Sequence, residues 1–146
     1  MNPEENQDNV WIRKAQIIAL AIHEDQKRSD GRPYVEHLAQ VAAKVNDRLK
    51  PIAWLHDTIE DHPDKISLDD LRKEGFPSYI VDAVDLLTHK KGVSNMEYWK
   101  QILTNQDAVA VKLRDIEDNM GDNPSEHAKI KYAKALDLFK KAGHSL

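Results

Sequence analysis

Trp11, Ala15, Ile18 and Ile22 recur at i, i+4, i+7 and i+11, which is one face of a helix, and the same period returns along the rest of the chain. Leu38, Val41, Ala42, Val45 and Leu49 mark a second stripe. Ile52, Leu55 and Ile59 mark a third, opened by Pro51, whose missing N–H costs nothing in a first turn. Ser67 with Asp70 is a capping-box pair before a short helix that Gly75 stops. Pro77 opens a helix with Ile80, Val84 and Leu87 inward, and Ser94 with Glu97 caps one that holds Tyr98, Ile102 and Leu103. Val109, Leu113, Ile116 and Met120 form the next stripe. Ile130, Ala133, Leu136 and Phe139, or positions next to them, form the last, after Pro124. Strand-like alternation is absent apart from the ambiguous AVAVKL at 108–113, and Ser29-Asp30-Gly31-Arg32-Pro33 is a loop. The expectation is an all-α chain, one helical domain over 1–146 with about seven or eight helices, and a flexible N-terminal segment at 1–9.

Several function classes fall away. With no cysteine among 146 residues, disulfides and thiolate metal sites are excluded. The opening MNPEENQDNV has neither the basic nor the apolar region of a signal peptide, and no run approaches the roughly 18 apolar residues of a membrane span. A cytoplasmic protein without membrane contact is expected. Lys and Arg number 21 against 25 Asp and Glu, a net charge of −4, which gives no overall basic field for nucleic acid. Lys129, Lys131, Lys134, Lys140 and Lys141 read as a solvated helix face. The oligomeric state has no signature in the sequence.

Chemistry concentrates in WLHDTIED, residues 54–61. On a continuous helix, His56 and Glu60 are four apart, as are Asp57 and Asp61, so the four groups form two adjacent rows. Three carboxylates this close repel one another, and a helix C-terminus disfavours negative charge, so a divalent cation is the compact counter-charge. His37 supplies a second imidazole, and Asp115, one step from the stripe of Leu113 and Ile116, a further carboxylate. Two imidazoles with two carboxylates suit Mn, Fe, Co or Zn better than Ca and leave positions for water and a substrate oxygen. Glu60 and Asp61 fall just beyond the ligands, where they can serve as general base and acid. Taken alone, His56-Asp57 reads as a structural histidine bonded to an aspartate. His23, His62, His89, His127 and His144 read as ordinary histidines, Asp118 as solvated, and Trp11, Trp54 and Trp99 as packing residues.

The ordered set His37, His56-Asp57 and Asp115 resembles the HD superfamily of metal-dependent phosphohydrolases. HEDQKRSDGRPYVEH (23–37), AWLHDTIED (53–61) and VKLRDIEDNM (111–120) resemble three motifs of the Rel/Spo-type alarmone hydrolases, and KYAKALDLF (131–139) the closing helix of their stand-alone members. The resemblance implies an all-α HD-domain bundle with one divalent ion, usually Mn, held by His37, His56, Asp57 and Asp115. It implies hydrolysis of guanosine 3',5'-bis(diphosphate), or its pentaphosphate relative, at the 3' position to give pyrophosphate and GDP or GTP. Glu60 and Asp61 are then the catalytic pair, Arg28 a phosphate contact and Asn119 a substrate-side residue. The segment after Asp115 departs from the pattern, because Asp118 and Asp122 are expected to make that wall of the site acidic. Two other readings keep the scaffold: an HD phosphohydrolase for another nucleotide or a phosphorylated dinucleotide, and a non-catalytic nucleotide-sensing module.

Overall fold

The computed structural model describes residues 3–146, with side chains from Asp8 onward. Among the described residues nine helices follow one another: α1 (Pro3–Ile22), α2 (Val35–Ala43), α3 (Lys50–Leu55), α4 (Thr58–Asp61), α5 (Leu68–Lys73), α6 (Ser78–Leu87), α7 (Asn95–Ile102), α8 (Gln106–Met120) and α9 (Glu126–Lys141). The segment expected to be flexible at 1–9 is helical from Pro3, and residues 1–2 lie outside the described residues. Among the described residues, the extended pairing is one isolated bridge between Lys27 and Pro33. The ambiguous AVAVKL lies inside α8.

Local signals set most boundaries. Ser67 and Asp70 complete a reciprocal capping box on α5. That helix ends before Gly75, whose φ of +90° suits a residue without a Cβ. Ser94, Asn105 and Ser125 each accept a backbone N–H at the start of α7, α8 and α9. Pro51 lies in the first turn of α3. Lys50, beside it, donates to Ala42 O and Val45 O, both at 2.8 Å, and so satisfies carbonyls at the end of α2.

α3 and α8 run through the core. All five residues from Pro51 to Leu55 are buried, and α3 packs against α1, α2, α6 and α8. α8 packs in turn against α2, α3, α6, α7 and α9. Leu38, Ile52, Leu55, Ile80, Leu87, Ile102, Ile116 and Phe139 are fully enclosed, each contributing about 1.5–3 kcal/mol by leaving water. Trp54 and Trp99 are buried, and Trp11 packs against Phe76 with ring centroids 5.3 Å apart, so the tryptophans are packing residues as expected.

Two details differ from the sequence expectation. The inward face of α9 is Tyr132, Ala135, Leu136 and Phe139, whereas Ile130 is 58% exposed and Ala133 faces solvent. The third predicted helix is broken at His56-Asp57, which raises the count to nine. His56 Nδ1 donates to Ala53 O at 2.6 Å and Thr58 Oγ1 to Leu55 O at 2.7 Å. Both carbonyls would serve backbone N–H groups in an unbroken helix, so these side chains compete with the helical ladder.

Candidate metal centre

The packing of α2, α3 and α8 against one another decides the geometry of the site. His37 lies in the first turn of α2, His56 and Asp57 in the break after α3, and Asp115 in the middle of α8. One ligand-type atom from each of these four residues lies within 4.8 Å of all the others. His37 Nε2 is 2.9 Å from Asp115 Oδ1 and 3.7 Å from Asp57 Oδ2. His56 Nε2 is 3.0 Å from Asp57 Oδ2 and 3.3 Å from Asp115 Oδ1. Atoms coordinated at about 2.0–2.2 Å from one centre lie roughly 3–4 Å from each other, so a single ion fits among these four.

Both imidazoles turn the same nitrogen inward. His56 commits Nδ1 to the Ala53 carbonyl, and His37 commits Nδ1 to Asp118 Oδ2 at 2.6 Å. Each Nε2 then faces the two carboxylates, the arrangement in which an outer hydrogen bond fixes a ligand ring. His37 Nε2 is buried and has no partner of hydrogen-bond geometry, as suits an atom whose partner is a cation. The donor set holds no sulfur and two hard oxygens, which fits a divalent first-row ion.

The electrostatics agree. Burial alone would lower the basicity of His56, but Asp57 and Asp115 raise it well above its usual value; His37 is raised against burial by Asp115 and Asp118. Burial would likewise raise both aspartates. The charge of His56 instead holds Asp57 near about 2, and Lys112, ahead of His56, holds Asp115 well below the usual range. Protons on the imidazoles and a divalent cation are alternative ways to balance the same two carboxylates.

Several supporting residues escaped the sequence reading. Lys112 Nζ, on a side chain 16% exposed, donates to Asp115 Oδ2 at 3.0 Å. Tyr34 Oη donates to Asp57 Oδ2. Asn119, expected at the substrate, donates to Asp115 Oδ1 at 3.2 Å and so braces a ligand. Gln26 donates from Nε2 to Asp61 Oδ2 at 3.0 Å, while its Oε1 accepts from His23 Nδ1 at 2.7 Å and His62 Nε2 at 2.6 Å. His23 is thus a buried core histidine, and neither it nor His62 belongs to the four-residue cluster. His23 extends the buried row of Ala15 and Ala19 by one more step of four, and that step is visible in the sequence.

Glu60 and Asp61 face different neighbours. Glu60 Oε1 accepts from the backbone N–H of His89 at 2.6 Å and borders a small open cleft. That cleft is also lined by Asp57, Lys112, Tyr98, Lys131 and Tyr132. Asp61 faces Gln26 instead. Partial burial, with the nearby Asp57 charge, raises both carboxyls above their usual values.

Asp118 corrects a further expectation. It is 9% exposed rather than solvated, and it bonds His37 and Arg28. Arg28, expected at a substrate phosphate, has a side chain only 4% exposed. Its Nη2 lies 3.1 Å from Asp118 Oδ2 and its Nε 2.8 Å from Asp122 Oδ2. Arg32 pairs with Asp122 as well. The wall that looked acidic is neutralised from within.

A solved structure with this architecture is known, a metazoan ortholog of SpoT described as hydrolysing ppGpp and playing a role in starvation responses. It superposes with a TM-score of 0.70 over 87% of this chain and 84% of that one, at 22% identity. The fold is that of this SpoT ortholog. Among curated proteins, the GTP pyrophosphokinase rsh of Brucella melitensis is 44% identical over 55 residues, which cover 34% of this chain and 7% of that protein. The bifunctional (p)ppGpp synthase/hydrolase SpoT of Escherichia coli is 40% identical over 57 residues, 36% of this chain and 8% of that one. The matched stretch is thus less than a tenth of either curated relative. No protein-family model matches the chain. The likeness to Rel/Spo-type enzymes is borne out by sequence over that stretch and by the fold of the SpoT ortholog over most of the chain.

Proposed function

We propose that this chain hydrolyses guanosine 3',5'-bis(diphosphate), or the pentaphosphate, at the 3' position, releasing pyrophosphate and GDP or GTP. The observation that carries the reading is the convergence of His37, His56, Asp57 and Asp115 within 4.8 Å beside a cleft edged by Glu60. The likeness to proteins named as synthases or hydrolases of this nucleotide supports the substrate.

His37, His56, Asp57 and Asp115 would hold one divalent ion, Mn²⁺ in our reading, with Fe, Co and Zn compatible with the same donors. Bound there, the ion supplies positive charge that makes water more acidic and offsets phosphate charge. Lys112 and Asn119 keep Asp115 oriented, and Tyr34 does the same for Asp57. Glu60, on the cleft with its carboxyl raised, is suited to take a proton from the attacking water. Asp61, steadied by Gln26, is suited to return a proton or orient that water. Lys131, on the cleft wall, is suited to face substrate phosphate.

No described helix is long and apolar enough to cross a membrane, which is compatible with the cytoplasmic location we infer. Metal-loaded protein incubated with the labelled nucleotide should release pyrophosphate. Orthophosphate alone, or no product, would refute the substrate assignment. One observation favours a second reading, a different nucleotide substrate: Arg28 is paired with two carboxylates. A nucleotide panel in which a compound without a 3'-diphosphate is preferred would select it.

A further inference from the structure

Asp118 Oδ2 stands between a metal-ligand ring and a guanidinium, 2.6 Å from His37 Nδ1 and 3.1 Å from Arg28 Nη2. Arg28 is closed off on its other edge by Asp122 Oδ2 at 2.8 Å from Nε, and Arg32 reaches that same aspartate. With its amide nitrogen turned toward Asp118, Gln40 also donates to Oδ1 at 2.5 Å. Both oxygens of the Asp118 carboxylate are then engaged, Oδ2 by His37 and Arg28 and Oδ1 by Gln40.

We propose that Asp118, held in place by Arg28, is the positioning residue for His37 as a metal ligand, and that the Arg28 guanidinium serves the metal centre rather than a substrate phosphate. The assignment rests on the metal-centre reading above. Three physical points carry it. A carboxylate on the outer nitrogen of a ligating imidazole fixes the tautomer that presents Nε2 and makes that nitrogen a stronger donor. An unpaired carboxylate at this depth, beside Asp57 and Asp115, would add like charge to a site already rich in it; Arg28 cancels that charge without touching the ligands. Two of the three guanidinium nitrogens of Arg28, Nη2 and Nε, are already committed to carboxylates on a side chain that is 4% exposed, which leaves Nη1 alone for a phosphate.

The test uses the full chain without nucleotide. Mn²⁺ is titrated into chelator-treated protein, and the free ion is followed by its electron paramagnetic resonance signal. Asp118→Asn and Arg28→Gln should each weaken Mn²⁺ binding about 10–100-fold, the range for loss of an outer partner of a ligand. The double variant removes both charges together, so it avoids stranding one in the interior. It should be no weaker than the worse single variant if the two act as one unit. Circular dichroism confirms folding of each. Unchanged Mn²⁺ affinity in folded Asp118→Asn or in the folded double variant overturns the proposal. So does Arg28→Gln that binds Mn²⁺ as the unsubstituted chain does but raises KM for the nucleotide. The substrate reading is judged by products alone and can fail while these affinities stand. An unsubstituted chain that binds none of Mn²⁺, Fe²⁺, Co²⁺ or Zn²⁺ removes the metal centre and this assignment with it.

Discussion

His37 Nε2 and Asp115 Oδ1 lie 2.9 Å apart, although the two residues come from helices far apart in the sequence that meet through packing. The nitrogen makes no hydrogen bond of good geometry there. A protonated His37 would pair with Asp115 at this distance, and a divalent ion held by both groups is the alternative counter-charge.

His56→Ala and Asp57→Ala should each lose bound metal and hydrolysis together. Metal content by mass spectrometry on the purified variants, read beside activity, checks this. Full turnover by a metal-free Asp57→Ala protein would refute the metal mechanism for every substrate.

Metal should also stabilise the fold. An ion that binds only the folded chain adds about 2.7 kcal/mol at a hundredfold excess over Kd, a shift of several degrees in Tm for a chain this size. Thermal melts with and without Mn²⁺ measure it, and Asp57→Ala should show no such shift.

Glu60 should separate activity from stability. Its folded-state carboxyl is raised, so the ionised form costs stability above that pKa, and the cost is relieved as pH falls through it. Hydrolysis should run the other way, rising with pH as Glu60 loses its proton. Glu60→Gln should abolish that rise and most turnover, yet match or exceed the unsubstituted chain in urea midpoint at pH 7.

Gln26→Glu places a carboxylate where an amide N–H now supports Asp61. We expect a loss of about 1–3 kcal/mol in transition-state stabilisation, roughly 10–100-fold in kcat/KM, with the fold retained. Activity equal to that of the unsubstituted chain would show that Asp61 needs no such support.

The orientation of α9 is testable by contrast. Phe139→Ala empties a fully buried position and should cost about 3–5 kcal/mol. Ile130→Ala removes an exposed side chain and should change stability by no more than about 0.5 kcal/mol. Urea denaturation of the two variants checks both.

Much of this was legible in the sequence. The helical period of apolar residues specifies an all-α chain, and His37, His56-Asp57 and Asp115 stand in an order that already suggests shared ligation. Other features depend on packing that no local pattern records. Nothing in WLHDTIED announces a break, because the break comes from His56 and Thr58 bonding carbonyls one turn back. In KIKYAKALDLFKK two apolar stripes compete, and contact with α7 and α8 selects the one through Ala135 and Phe139. Asp118 lies three residues after Asp115, on the same face, yet a charged residue there reads as solvated until Arg28 is seen beside it. Lys112 was similarly hidden, although Val109, Lys112 and Ile116 share one stripe.

Glu60 and Asp61 are adjacent in the chain but anchored to different neighbourhoods, one to the His89 backbone after α6 and the other to Gln26 in the loop after α1. Each carboxylate thus answers to its own loop. A rearrangement around His89 can retune Glu60 while Asp61 stays fixed, and a change near Gln26 can do the reverse. Two neighbouring carboxylates are thereby open to separate adjustment by two different loops.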